Sequence, residues 1–118
     1  MLLNGGEIDG QRYLSKETCQ LFTTEISKIS RRGLGFDKPD ADDPKKGNCA
    51  PAAPAEVYGH TGFTGTCAWV DPMNELVYVF LSNRIYPDVT NRKLNQLHIR
   101  ERIQGACLLY TSPSPRDA

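Results

Sequence analysis

At 118 residues the chain is long enough for one small domain with a single core. Its 14 basic and 14 acidic side chains balance and are mixed along the chain, so no net field favours nucleic acid or an anionic membrane. Only two leucines separate Met1 from Asn4-Gly5-Gly6, which makes no signal-peptide core, and no apolar run is long enough to span a membrane.

Leu2 and Leu3 stop at Asn4-Gly5-Gly6, the pattern of a last helical turn closed by glycine, with too few residues for a helix of its own. Asp9-Gly10 predicts a tight hairpin within Glu7–Tyr13. Ser15 is a good N-cap for a helix over roughly Lys16 to Thr24, with Glu17 in its positive first turn. Leu14 and Cys19 flank that cap as a hydrophobic staple would, and Cys19 and Phe22 share a face. Ile26 to Arg32 is polar and undecided between states. Gly33-Leu34-Gly35-Phe36 predicts a short strand whose glycines admit a close neighbour. Residues 37–56 carry four prolines and almost no bulky apolar side chain, which predicts a long surface loop.

Tyr58 to Arg84 is the stretch on which any core must rest. It places Gly59, Gly62 and Gly65 at a spacing of three, then the single tryptophan, Trp69, then the apolar run Leu76–Leu81. Thr66 to Val70 and Leu76 to Leu81 predict two strands joined by Asp71-Pro72-Met73-Asn74, with Asn74 able to take a left-handed conformation. The second run does not alternate, so it is expected in the middle of a sheet with both faces covered. Thr90 or Asn91 caps a final helix to about Gln104, with Leu94 and Leu97 on one side and Ile99 and Ile103 on another. That helix is expected to lie across the sheet. Ser112-Pro113-Ser114-Pro115 forbids helix, and nothing after Tyr110 offers a side chain to bury.

Few residues suggest chemistry by themselves. Cys19, Cys49, Cys67 and Cys107 fit no metal-ligand spacing; Cys19 and Cys67 read as small buried hydrophobes and Cys49 as a loop position. A zinc site of His60, Cys67 and Cys49 is disfavoured on the same ground. Asp40, Asp42 and Asp43 lack the order of a calcium loop and stand beside Lys45 and Lys46. Ser82-Asn83-Arg84 suits a turn or the edge of a cleft, and His98 a solvated helix position. His60-Thr61-Gly62-Phe63 has two readings. The glycines on either side let a ligand or a backbone come close, and His60 and Thr61 offer a titrating ring and a hydroxyl. The same residues also suit a glycine-rich strand whose histidine bonds a neighbouring loop. A phosphate-cradling loop is a weaker reading still, since no Gly-Lys-Ser/Thr follows and no helix is expected to begin here.

The residues GHTGFTGTCAWVDP followed by LVYVFLSNR resemble the third conserved element of the serine beta-lactamase and penicillin-binding-protein superfamily, nearest its class C-like branch. LLNGGEIDGQRYLSKETCQLFTT, RRGLGFDKP and the Asn91–Gln104 helix resemble the family's segments in the same order, so the likeness covers roughly residues 1–105. It implies an α+β fold: a partial antiparallel sheet with flanking helices, the C-terminal part of a serine beta-lactamase/transpeptidase-like domain. It implies acyl transfer through a serine in Ser-x-x-Lys, helped by Tyr/Ser-x-Asn. By the match of His60-Thr61-Gly62 to the usual Lys-Thr-Gly, His60 lines the cleft and donates toward substrate. Thr61 bonds a substrate carboxylate or carbonyl, Gly62 leaves substrate room, and the Phe63 N–H is one oxyanion-hole donor.

Two departures shape the expectation. His60 replaces a permanent charge with a conditional one, which favours an esterase or peptidase over a penicillin-type clamp. No Ser-x-x-Lys and no Tyr/Ser-x-Asn occurs in the sequence. The chain is therefore expected to be a C-terminal piece, inactive alone, of a hydrolase of small or peptide-like esters and amides that needs no cofactor. The parent is expected in the periplasm or cell envelope. Residues 106–118 resemble translated sequencing adapter and are expected to be a non-native, disordered tail. The alternative from another class is a non-catalytic member that binds a peptide or cell-wall fragment.

Overall fold

A computed structural model describes residues 1–111 of the chain. It is α+β, as expected, with two antiparallel sheets and three helices among the described residues. A single 3-10 turn at Leu2–Asn4 is closed by Gly5 in the left-handed region (φ 72°). Strands β1 (Glu7–Ile8) and β2 (Gln11–Arg12) pair across Asp9-Gly10, whose φ values of 50° and 77° give the twist a two-residue hairpin needs. Helix α1 (Lys16–Thr23) starts where Ser15 accepts a hydrogen bond from the Thr18 N–H.

The main sheet is a three-stranded meander, β3 (Tyr58–Thr61), β4 (Cys67–Asp71) and β5 (Leu76–Phe80), in that spatial order. Alternation gives it two unlike faces. Gly59, Trp69 and Tyr78 form one row, and Thr61, Cys67 and Phe80 the next. This face carries the core of Cys49, Val57, Cys67, Trp69 and Tyr78. The other face presents His60, Ala68 and Val79 in a row beside Val77, all exposed. The Asp71 carboxylate closes the β4–β5 turn by accepting from the N–H groups of Met73 and Asn74.

Helix α2 (Lys93–Gln96) is short, and α3 (Ile99–Thr111) follows after a break at Leu97–His98, where His98 has φ 52°. Tyr78 donates its hydroxyl hydrogen bond to the Arg100 carbonyl at 3.0 Å, which seats α3 on β5.

Several expectations need correction. The single helix from Asn91 to about Gln104 is two helices, and its second part runs to Thr111 because Leu108 is 5% exposed and holds the last turns to the body. Residues 106–111, expected in the disordered tail, are thus helical; residues 112–118 lie outside the described ones. Gly33–Phe36 is not a strand of the sheet: Leu34 and Phe36 donate their N–H groups to the carbonyls of Leu21 and Phe22. The glycines do serve close approach, since a Cβ on Gly33 would lie 2.2 Å from the Phe22 oxygen. The central strand is β4, and β5 lies at the edge with Val77 and Val79 more than half exposed. The left-handed residue of its turn is Glu75 (φ 52°) rather than Asn74.

The segment 37–56 is also more than a surface loop. Asp37, Lys38, Cys49 and Ala50 are buried, and the Ala50 N–H donates to the Gln104 side-chain carbonyl at 2.8 Å. Burial foremost pushes the Cys49 thiol up to about 12, so it behaves as an inert core side chain at neutral pH.

Gly59 is the tightest position in the sheet. A Cβ there would stand 2.0 Å from the Ala68 oxygen and 2.8 Å from the Trp69 Cα, backbone atoms that no rotamer change can move. Gly59→Ala is expected to cost about 1–3 kcal/mol or more. A lowered urea midpoint followed by Trp69 fluorescence checks this, and an unchanged midpoint would contradict the packing described.

Candidate active site

The site is built on the end of β3 and the turn that follows it. Gly62 donates its N–H to the Thr66 carbonyl, and Gly65 donates to the Gly62 carbonyl, so residues 62–65 form a closed turn. Gly65 takes φ 98°, and a Cβ there would meet Ser82 Oγ at 2.4 Å. A Cβ on Gly62 would meet Thr66 Oγ1 at 2.3 Å, so that glycine clears space for its own turn.

Arg84 braces the turn from outside. Its N–H donates to the Thr64 carbonyl at 2.8 Å, and its guanidinium lies 4.8 Å from the centre of the Phe63 ring. Phe63 is otherwise exposed, and its backbone N–H donates to no group among the described residues. An unspent donor in a braced turn is what a developing negative charge requires.

Thr61, Gly62 and Phe63 share the lining of a cleft of about 430 Å³ with Lys45, Lys46, Arg84 and Arg100, and Glu101 is the one acid among its described lining residues. Arg100 is 8% exposed and donates to the Thr66 carbonyl and the Asn95 side chain, while its Nε–H has no partner among the described residues. His60 is not on this cleft. It faces the opposite side of β3, one residue before Thr61, as strand alternation demands.

His60 instead meets the loop after α1. Arg32 Nη1 lies 2.9 Å from His60 Nε2, and His60 Nδ1 lies 2.6 Å from the Thr61 carbonyl oxygen. Behind Arg32 stands Asp37, 1% exposed, which accepts from Arg31 Nε at 2.7 Å, Arg31 Nη2 at 3.2 Å, Asn48 Nδ2 at 3.0 Å and the Lys38 N–H. Arg32 Nη2 lies 3.9 Å from the same carboxylate. Burial raises the Asp37 pKa, but the hydrogen bonds from Arg31, Asn48 and Lys38 outweigh it and the net shift is downward. The backbone of Asp37 pairs with Gly59 in both directions, at 2.7 and 3.1 Å.

The sequence reading thus named His60, Thr61, Gly62 and Phe63 and missed Arg31, Arg32 and Asp37. The available signal was two adjacent arginines shortly before an aspartate that ends a glycine-aromatic run. The carboxylates of Asp40 and Asp43 serve nearby backbone N–H groups in turns. Among the described residues no cluster of three or more histidines, cysteines, aspartates and glutamates could hold a metal ion.

The family model that matches the chain is described as Beta-lactamase and covers residues 2–101. A protein named "Putative D-alanyl-D-alanine carboxypeptidase" in Escherichia coli O157:H7 is 33% identical over 94 residues, 80% of this chain and 21% of the relative. The same name belongs to similar proteins of Escherichia coli K12, 32% identical over 94 residues, and Salmonella gallinarum, 32% identical over 95. The chain spans about a fifth of the length of these curated relatives.

Asp37 gives a pH prediction. Its folded value lies below the ordinary carboxylate value, so its stabilisation is present above that value and lost as pH falls through the folded one. Asp37→Asn, which leaves Arg31 without its buried counter-charge, is expected to cost about 3–5 kcal/mol. It is also expected to flatten the acid limb of stability. Urea midpoints of both chains between neutral and acid pH check the sign.

Proposed function

The chain belongs to the beta-lactamase family of serine hydrolases, and on that premise we propose that it supplies the cleft strand of an acyl-serine hydrolase. The reading takes His60-Thr61-Gly62 as the third family motif, on the end of β3. The serine Oγ attacks the carbonyl carbon of an ester or amide, and the carbonyl electron pair moves to oxygen. That oxyanion accepts a hydrogen bond from the Phe63 N–H, a contribution of about 3 kcal/mol in comparable sites. Collapse breaks the bond to the alcohol or amine, which leaves with the proton the serine gave up. Water then hydrolyses the acyl-serine ester to the free acid and the serine hydroxyl.

Thr61 and Gly62 bind the substrate along the strand, while His60 lies on the opposite face of the same strand end. The names of the relatives point to a peptide-like substrate ending in D-alanyl-D-alanine, and the cationic side chains that line the cleft suit an anionic group on it. The serine, its lysine and the tyrosine come from outside these 118 residues, since neither motif occurs in them. Alone, the chain is inactive. Residues 1–105 are the family portion, and residues 106–118 are foreign to it.

The observation that carries this reading is the unspent Phe63 N–H in a turn braced by Arg84. Two experiments test it. The chain alone, treated with labelled penicillin or a fluorophosphonate, is expected to show no covalent adduct by mass spectrometry. In a chimera, residues 2–101 replace the matching stretch of the Escherichia coli relative, and acylation is expected. Phe63→Pro in the chimera removes the N–H and is expected to slow acylation about 100- to 1,000-fold. Undiminished acylation would sink the oxyanion role. Binding without acylation in the unmodified chimera would favour a non-catalytic module.

A further inference from the structure

His60 is held by two partners that can each play only one part. The Arg32 guanidinium has donors and no acceptor and stays protonated in proteins, so at 2.9 Å His60 Nε2 must offer its lone pair. The Thr61 carbonyl can only accept, so at 2.6 Å His60 Nδ1 must carry the proton. Together they define one state, a neutral imidazole with its hydrogen on Nδ1. A protonated ring would place an Nε2–H against an Arg32 N–H and a second positive charge beside the guanidinium.

We infer that Arg32 is a positioning residue that holds His60 as the neutral Nδ1–H tautomer and itself carries the permanent positive charge at this end of β3. The groups around the pair agree. Across the sheet His60 faces Ala68, which has no polar side-chain atom. Behind Arg32 the Asp37 carboxylate lies 3.9 Å from Nη2, and Arg31 is bound to the same carboxylate; among the described residues no carboxylate makes a hydrogen bond or ion pair with the imidazole. Arg32 makes one long ion pair with Asp37, and 43% of its side chain remains exposed.

This changes what His60 can do. While the contact stands, Nε2 has no proton to give, and the donor presented to an incoming oxygen is the Arg32 fork. His60 becomes a donor at Nε2 only by taking a proton and releasing Arg32. The catalytic meaning rests on the reading of β3 as a cleft strand, but the tautomer is a property of the unliganded protein.

The test is nitrogen NMR of the full chain with labelled histidine, recorded above the pH range where histidine titrates. His98→Gln assigns the two rings. His60 is expected to show a protonated Nδ1 and a bare Nε2, the reverse of the tautomer that free histidine favours. Arg32→Met leaves the Thr61 carbonyl as the one fixed partner of the ring and is expected to admit a detectable Nε2–H fraction, which Arg32→Lys is expected to reduce. The Trp69 indole signal reports whether each variant keeps its sheet. An Nε2–H ring in the unmodified chain would overturn the inference without any variant, as would an Nδ1–H signal left undiminished by Arg32→Met. Loss of acylation in the chimera would not alter these spectra, so the two readings fail separately.

Discussion

The buried carboxylate of Asp37 is the constraint on which the rest depends. It lies 1% exposed at the edge of a small sheet and is tolerable there only because four N–H groups point at it. Those donors come from three places in the sequence: Arg31, the backbone of Lys38, and Asn48. Satisfying the charge therefore folds the proline-rich segment 37–56 onto the body. The two main-chain bonds between Asp37 and Gly59 then attach that segment to β3. Cys49 and Ala50 follow into the core, and Gln104 of α3 meets the Ala50 N–H.

From this anchor the site follows by geometry. Gly59 must be glycine because Trp69 and the Ala68 carbonyl fill the space beside it. With Gly59 against the core, alternation turns His60 to the open face and Thr61 toward the cleft. The chain then closes the 62–65 turn, leaving the Phe63 N–H outside the hydrogen bonding of the sheet. Arg32 reaches His60 because its neighbour Arg31 is already bound to Asp37. A salt bridge that looks structural thus decides the state of a side chain at the candidate site.

The legible parts of this protein were those whose signal is local. The Asp9-Gly10 hairpin, the Ser15 cap and the β4–β5 pair each depend on residues within a few positions of one another. The likeness of residues 58–84 to a family motif is local in the same sense. What could not be read depends on distant partners. Leu76–Phe80 has the composition of a covered central strand, yet Val77 and Val79 stay exposed on β5, because alternation and covering elements are separate matters. Residues 37–56 looked unable to repay their ordering, because a buried charge and its donors do not register as hydrophobicity. The break at His98 left no glycine or proline to mark it.

The identity of residue 60 is coupled to Arg32 rather than independent of it. A lysine at position 60 would bring a second permanent charge toward the guanidinium. At about 4 Å that repulsion is about 1 kcal/mol in water and about 4 kcal/mol at the effective dielectric near a protein surface. One of the two side chains would have to turn away. A neutral imidazole avoids the conflict, because its bare nitrogen accepts from Arg32 while its other nitrogen is satisfied by the Thr61 carbonyl. Histidine at this position therefore does not simply weaken the charge of a lysine. It allows the charge to sit on Arg32 and leaves at residue 60 a neutral ring held between Arg32 and the Thr61 carbonyl.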